Sequence, residues 1–347
     1  MFEDLLQAWD GEEAVIRYDA ESGAWMFLCV HSTALGPAGG GTRMRVYPTP
    51  GDGLADAMRL SRAMTQKMAA ANVERGGGKA VLAVPELPSG EARRRLLLRY
   101  GRLVASLGGT YRTAGDMNIS PADLDVISET CPYVYGSTAH GGNSGRGTAR
   151  GVLHGIRASV EHAFGSPELA GRSVLVQGVG AVGHDLARAL ADDGARVLVT
   201  DVDAPRARAV ADEIGAEVVE ADGALATECD VYAPCAVGGT LSAATIPALR
   251  CRIVAGSANN QLAEDADADR LHAAGILYAP DYVVNAGGVL QLIGSQDLGR
   301  DEAGLERSYE GIGATLRRIF GDAESAGITP ALAAERLAAE RVAAARP

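Results

Sequence analysis

The run Ser173-Val-Leu-Val-Gln177 ends in Gly178-Val-Gly180-Ala-Val-Gly183, and a helical pattern follows through Leu190. No other stretch constrains the fold as strongly. A buried strand, a glycine turn and a helix start, in that order, form a seat for a dinucleotide pyrophosphate. The first glycine makes the tight turn, the second lets phosphate approach the backbone, and the third lets helix pack on strand. The helix start adds free N–H groups and partial positive charge. Such a triplet alone is weak, since ordinary strand–helix turns also carry glycine. Here a second apolar strand, Arg196–Thr200, leads directly into Asp201, 23 residues after Gly178. A carboxylate at that place accepts from ribose hydroxyls and repels a 2′-phosphate, which predicts NAD rather than NADP. The expected cofactor residues are therefore Gly178, Gly180, Ala181, Val182, Gly183 and Asp201. Asp203 reads as a solvated turn residue.

Further short apolar runs at 231–233, 253–255 and 276–278 alternate with helical segments, which predicts a parallel sheet with helices on both faces. The first half is different. It opens with strand-like pieces at 14–17 and 25–31, then a glycine-rich loop at 36–42. A helix follows over 54–71, with Leu54, Met58, Leu60, Met64 and Met68 at helical spacing. A second glycine run, Gly76 to Gly78, ends that stretch ahead of a buried strand at 79–84. A helix covers 93–107, and Ser120-Pro121 with Asp123 has the pattern of a capped helix start. The glycine-rich stretch from His140 to Gly147 is the best boundary. At 347 residues the chain has room for two domains. We expect an α/β protein with an N-terminal substrate-binding and oligomerisation domain over 1–140 and a Rossmann domain over 141–327. A C-terminal helix, about 328–347, returns to the first domain, and the active-site cleft lies between the two.

With 47% hydrophobic and 22% charged residues the chain can bury a core, so wholesale disorder is excluded. A net charge of −12 argues against nucleic acid or an anionic membrane as the main partner. No apolar run reaches the length of a membrane span, and the acidic N-terminus lacks a secretory signature. Cys29, Cys131, Cys229, Cys235 and Cys251 show no metal or disulfide spacing, so they read as reduced core thiols of a cytoplasmic protein and no metal site is expected.

Of 32 cationic residues only Lys67 and Lys79 are lysine; the other 30 are arginine. Arginine stays protonated in proteins, whereas a lysine gives up its proton when desolvated or placed beside another cation. Two lysines kept 12 residues apart in a chain that otherwise uses arginine suggest that amine chemistry is needed there. Chance clustering on a solvated helix end is the bland alternative. The three glycines before Lys79 would leave a substrate room to approach. Asp116, after a strand and beside Gly115, is placed either to reach into a cleft or to serve as a plain turn residue.

Together these motifs resemble the glutamate/leucine/phenylalanine/valine dehydrogenase superfamily, nearest the leucine, valine and phenylalanine branch. The resemblance is carried by Leu35-Gly-Pro-Ala-Gly-Gly-Gly-Thr-Arg43, Met64-Thr-Gln-Lys67, Gly76-Gly-Gly-Lys79, Thr113-Ala-Gly-Asp116 and the nucleotide loop. It continues through Tyr232-Ala-Pro-Cys-Ala236, Ala255-Gly-Ser-Ala-Asn-Asn260 and Ala279-Pro-Asp-Tyr-Val-Val-Asn-Ala-Gly-Gly288. It implies NAD-dependent, reversible oxidative deamination of an L-amino acid to a 2-oxo acid and ammonia by a homo-oligomer. Carried over, Lys79 is the general base, Asp116 exchanges protons with the nitrogen, and Lys67 binds the substrate carboxylate. Lys67 would also lower the pKa of Lys79. Gly39, Gly40, Gly41, Met64, Ala114, Asn260, Asn285, Val289 and Leu292 line the substrate; Cys235, Ala236, Ala258 and Asn259 join the cofactor residues.

Nothing in this set could pair a side-chain carboxylate, so glutamate is disfavoured as substrate. Gly39 stands where the family commonly has a larger residue and would enlarge the pocket. Ala114 matches aliphatic-specific members, Leu292 phenylalanine-specific ones. The expectation is a bulky apolar substrate, phenylalanine ahead of leucine and valine, with tryptophan or a non-proteinogenic aromatic amino acid open. Two rivals are a 2-hydroxy acid dehydrogenase, for which the six histidines show no suitable placement, and a non-catalytic NAD-binding paralogue, against which Lys67, Lys79 and Asp116 argue.

Overall fold

A computed structural model describes residues 2–138 and 144–346. Residues 140–143 of the expected boundary stretch lie outside the described residues. The chain divides into two compact units, Met1–Asn143 with Ala338–Pro347, and Ser144–Leu337.

The first unit holds helix α1 (Phe2–Trp9), strands β1 (Glu13–Asp19), β2 (Ala24–Ser32) and β3 (Ala38–Arg45), and helix α2 (Pro50–Ala70). Strand β4 (Gly76–Ala83), helix α3 (Gly90–Ala105), strand β5 (Tyr111–Gly115) and helix α4 (Pro121–Ser128) follow. Its sheet runs β1-β2-β4-β3-β5, antiparallel across β1, β2 and β4 and parallel across β4, β3 and β5. Side chains alternate between its faces. Phe27, Cys29, Val81 and Ala83 pack with Leu54, Ala57 and Met58 of α2 on one face. Met26, Leu28, Ala80 and Leu82 pack with Leu96, Leu97, Leu124 and Ile127 of α3 and α4 on the other. The α2 and α4 starts are capped as their sequences require: Thr49 and Ser120 each close a capping box three residues ahead of an aspartate, with proline next in line.

Both glycine runs lie in strands: the one expected as a loop at 36–42 becomes β3 from Ala38 on, and Gly76–Gly78 opens β4. Their alternation of missing side chains brings three backbones unusually close. A Cβ on Gly40 would run into the Gly78 carbonyl, and one on Gly41 would stand 2.6 Å from the Gly115 carbonyl. Nor do the glycines before Lys79 leave room for a substrate. The space beside Gly77 is filled by Thr65 of α2, and that beside Gly78 by the Tyr111 ring, 2.7 Å from where its Cβ would stand. Polarity without periodicity reads as a loop from sequence; here the close approach of neighbouring strands overrides it. On the α3 face Thr42, Tyr100 and Thr113 share hydroxyl hydrogen bonds of 2.5–3.1 Å that fasten β3 to β5.

The second unit opens with α5 (Gly145–Phe164), β6 (Ser173–Gln177), α6 (Ala181–Asp192), β7 (Arg196–Thr200), α7 (Ala204–Ile214) and β8 (Glu217–Val218). It continues with β9 (Val231–Pro234), β10 (Ile253–Val254), α8 (Ala266–Ala273), β11 (Leu277–Tyr278), α9 (Asp281–Val284), α10 (Gly287–Gln296) and α11 (Glu302–Ala326). Helix α12 (Pro330–Ala345) starts here and ends in the first unit, where Arg341 donates to the Ala69 and Ala70 carbonyls at the end of α2. The sheet is parallel throughout, ordered β11-β10-β9-β6-β7-β8, and reverses direction of winding between β6 and β9. In such doubly wound sheets the carboxyl ends of the strands at that reversal form the ligand crevice. The fold class expected from sequence is therefore the one observed.

Gly40→Ala is expected to lower stability by about 2–3 kcal/mol, as overpacking between two backbones does. Gly180→Ala, with nothing within 4 Å of its would-be Cβ, is expected to stay within about 0.5 kcal/mol of the parent. Urea midpoints of the two variants provide the comparison.

Candidate active site

Lys79 stands in the middle of β4 and is only 7% exposed. The constant register between β3 and β4 places Gly41 level with it, and Gly41 pairs with Ala114 on β5. With no side chain on Gly41, the Lys79 stem crosses β3 and its Nζ reaches Asp116 Oδ2 at 2.5 Å. Asp116 follows β5 at the next position on the same face, and a Cβ on Gly41 would stand 3.0 Å from its own. Burial lowers the pKa of Lys79; the Asp116 charge and hydrogen bond oppose this, and Arg43 adds to the lowering. Burial alone would raise the Asp116 pKa, but Lys79 and then Arg43 outweigh it and hold the carboxyl below its usual range.

Arg43 is the residue that sequence reading missed. It ends the Leu35–Arg43 motif and shares a face with Gly39 and Gly41, so period-two alternation from the glycines points to it. The expected cation beside Lys79 was Lys67. A cation beside the Lys79–Asp116 pair is Arg43, whose Nε lies 3.2 Å from Asp116 Oδ2. Lys67 stands in the last turn of α2, where its carbonyl accepts from the Ala71 N–H. Met64 lies one turn earlier on α2 and is half-buried. Gly39 does not leave an open space: the Met68 methyl group lies 3.2 Å from where a Cβ would stand.

In the second unit each glycine of the loop does a separate task. Gly178 has φ +92°, and its would-be Cβ meets Ala236 at 2.6 Å, so the turn excludes a side chain. Gly183 packs against the Gly178 carbonyl, while Gly180 faces open space at the start of α6 beside exposed Ala181 and half-buried Val182. This cradle fits a pyrophosphate at a helix N-terminus. Asp201 has a structural role that the spacing does not reveal. Its carboxylate is 7% exposed; Oδ2 accepts from the Val179 N–H and Oδ1 from the Asp203 N–H, both at 2.9 Å, so it fastens the glycine loop to β7. Lone pairs remain on both oxygens for ribose hydroxyls.

Cys235, Ala236, Ala258, Asn259 and Asn260 follow the carboxyl ends of β9 and β10. The Ala258 N–H donates to the Pro234 carbonyl at 2.9 Å. Asn285 is buried; its Nδ2 donates to Asn259 Oδ1 at 2.9 Å and to the Ser257 carbonyl, and its Oδ1 has no partner among the described residues. Asn260 takes a left-handed φ of +51° and its carbonyl accepts from Gly239, a turn role. Val289 and Leu292 are half-buried and share one side of α10. Cys29, Cys131, Cys229 and Cys251 are buried, and all five thiols are free. Among the described residues no helix is long and apolar enough to cross a membrane.

Residues 19–133 match the Glu/Leu/Phe/Val dehydrogenase dimerisation domain, and 199–346 match the Glutamate/Leucine/Phenylalanine/Valine dehydrogenase domain. A leucine dehydrogenase from Thermoactinomyces intermedius is 42% identical over 98% of this chain and 93% of its own. A valine dehydrogenase from Streptomyces coelicolor is 43% identical over 97% of this chain and 93% of its own. The crystal structure of L-tryptophan dehydrogenase from Nostoc punctiforme superposes with a TM-score of 0.89 at 38% identity, covering 99% of both chains. The chain belongs to the glutamate/leucine/phenylalanine/valine dehydrogenase family. It is thereby an amino acid dehydrogenase, an oxidoreductase acting on CH–NH2 groups.

Asp201→Ala strands two backbone N–H groups, each of which costs about 1–3 kcal/mol when left buried without a partner. A fall in thermal midpoint, with faster hydrogen exchange at Val179 and Asp203, is the expected outcome.

Proposed function

We propose that the protein oxidises branched-chain L-amino acids, leucine and valine foremost, with NAD: L-amino acid + NAD+ + H2O gives 2-oxo acid + NH4+ + NADH + H+. The observation that carries the chemistry is the buried Lys79–Asp116 pair, joined at 2.5 Å. Burial pulls the amine toward the neutral form that a general base requires at working pH. In this reading neutral Lys79 takes the proton of the water that attacks the imino acid. Asp116 exchanges a proton with the substrate nitrogen, and Lys67 holds the α-carboxylate. General acid–base help of this kind is worth about 10²–10⁴-fold in rate; holding the substrate in place supplies much of the remainder. NAD, when bound, accepts the hydride from the substrate Cα. The glycine loop and Asp201 would hold its pyrophosphate and ribose, and Asn259 and Asn285 would border the nicotinamide.

Phenylalanine loses its place as first substrate. The argument for it leaned on Leu292 and on spare volume at Gly39, and the Met68 methyl lies 3.2 Å from where a Gly39 Cβ would stand. Identity of 42–43% along nearly the whole chain to leucine and valine dehydrogenases, with Ala114 in the family's aliphatic pattern, supports the branched-chain reading. The resemblance to an L-tryptophan dehydrogenase favours tryptophan as a second reading. The first unit would also carry self-association into a homo-oligomer, by its match to a dimerisation domain.

A screen of NADH formation across the twenty L-amino acids at alkaline pH tests the reading. Leucine, valine and isoleucine should lead in kcat/KM. A clear lead for tryptophan would replace the branched-chain assignment, and no turnover with any amino acid would overturn the reaction itself. Lys79→Arg should abolish turnover while NADH still binds by fluorescence, because a guanidinium keeps the charge but cannot act as base. Asp201→Ala should raise the KM for NAD and weaken discrimination against NADP.

A further inference from the structure

The Lys79–Asp116 pair has a third member, and that member is itself anchored. Arg43 is 16% exposed, and its Nε reaches the same Asp116 Oδ2 that receives Lys79 Nζ. Behind it, Nη1 lies 2.9 Å from Asp56 Oδ2 on α2. The Tyr47 hydroxyl donates to that same Asp56 oxygen at 2.7 Å, and Arg59 holds Asp56 Oδ1 at 2.7 Å. The guanidinium is thus clamped between two carboxylates from two elements. A planar fork does this with two separate nitrogens at once.

We infer that Arg43 is a positioning residue for the reaction: it fixes Asp116 Oδ2 where Lys79 can reach it and, as a permanent cation beside the amine, sets the pH range in which the enzyme works. This rests on the reading of Lys79 as the base. The charged and titratable groups around the pair include Arg43 on β3, Tyr47 just after it with Arg45 near its ring, Asp56 and Arg59 on α2, and Cys29 on β2, level with Lys79, whose thiol is pushed by burial up to about 12 so that it stays protonated. Lys67 lies farther along α2. Burial, then the bond to Asp56, pushes the Tyr47 hydroxyl well up, so it stays protonated and does not titrate with Lys79. Around Lys79, Asp116 and Asp56 favour the ammonium while Arg43 disfavours it.

That arrangement has a signature that general loosening of the site does not. Removing Arg43 takes away a cation, so Lys79 should hold its proton to higher pH. Removing the Asp56 charge takes away an anion, so Lys79 should lose its proton at lower pH. Because the chain has only two lysines, labelling with 15Nζ-lysine gives two signals, and Lys67→Arg assigns them. In the full-length protein, Arg43→Gln should raise the Lys79 midpoint by about one pH unit, and Asp56→Asn should lower it by less. The acid limb of kcat/KM for amino acid oxidation should move in the same directions. At pH values below that limb, a midpoint one pH unit higher should cost Arg43→Gln about tenfold in kcat/KM, because tenfold less of the amine is neutral. Arg43→Lys, read by the acid limb of kcat/KM, should keep the midpoint near the parent value yet lower kcat, since one nitrogen replaces the two that hold Asp116 and Asp56.

Midpoints that move in one direction in both variants, or in neither, with folding intact by circular dichroism, overturn the inference. If Arg43→Gln does not fold, Asp56→Asn and Arg43→Lys decide it, and an unmoved Lys79 midpoint in Asp56→Asn is the overturning result. A parent protein that oxidises no L-amino acid would defeat the reaction proposed above. The lysine titration would still establish separately whether Arg43 controls the Lys79 proton.

Discussion

A lysine amine in the middle of a central strand is the constraint on which the first unit is built. Stripped of water, an unpaired charge there would cost several kcal/mol or lose its proton. The partner has to come from two strands away, because β3 lies between β4 and β5. Only a residue without a side chain at the crossing point leaves the path clear, and Gly41 is that residue. The same lack of side chains at Gly40 and Gly78 lets the strands close up. The glycines are therefore less a flexible loop than the clearance through which an amine reaches a carboxylate.

The second unit solves a different problem with the same residue type. Its glycines build a tight turn, an open cradle and a helix–strand contact from three positions. Asp201 then ties the loop to the neighbouring strand through two backbone N–H groups. A carboxylate suited to ribose hydroxyls thus also fixes the loop over which a pyrophosphate would lie. In the proposed reading, binding and scaffolding would share this one side chain, leaving little freedom to alter either.

Much of this is legible in the sequence. The strand–glycine–helix order with Asp201 predicts the parallel sheet, and the rarity of lysine points to Lys79. Periodicity fails where backbone proximity takes over. The run at 36–42 reads as a loop, and Gly76–Gly78 as the end of a helical stretch, because glycine lacks the side chains that make an alternating pattern. Lys67 reads as the neighbouring cation because it is near in sequence. Arg43 goes unnoticed because strand order, which a linear reading does not see, brings β3 alongside Asp116. Gly39 reads as added pocket volume, yet a methionine one helical turn past Met64 fills it.

By itself the sequence determined the kind of fold, the family and the two positions where an amine was retained. These follow from local order and composition, which a linear reading sees. Which cation neighbours the amine, what fills the space beside a glycine and what else a carboxylate holds were decided only by tertiary structure. Each depends on strands and helices far apart in the chain, and electrostatic and packing forces act over ångströms in space, whatever the separation in sequence.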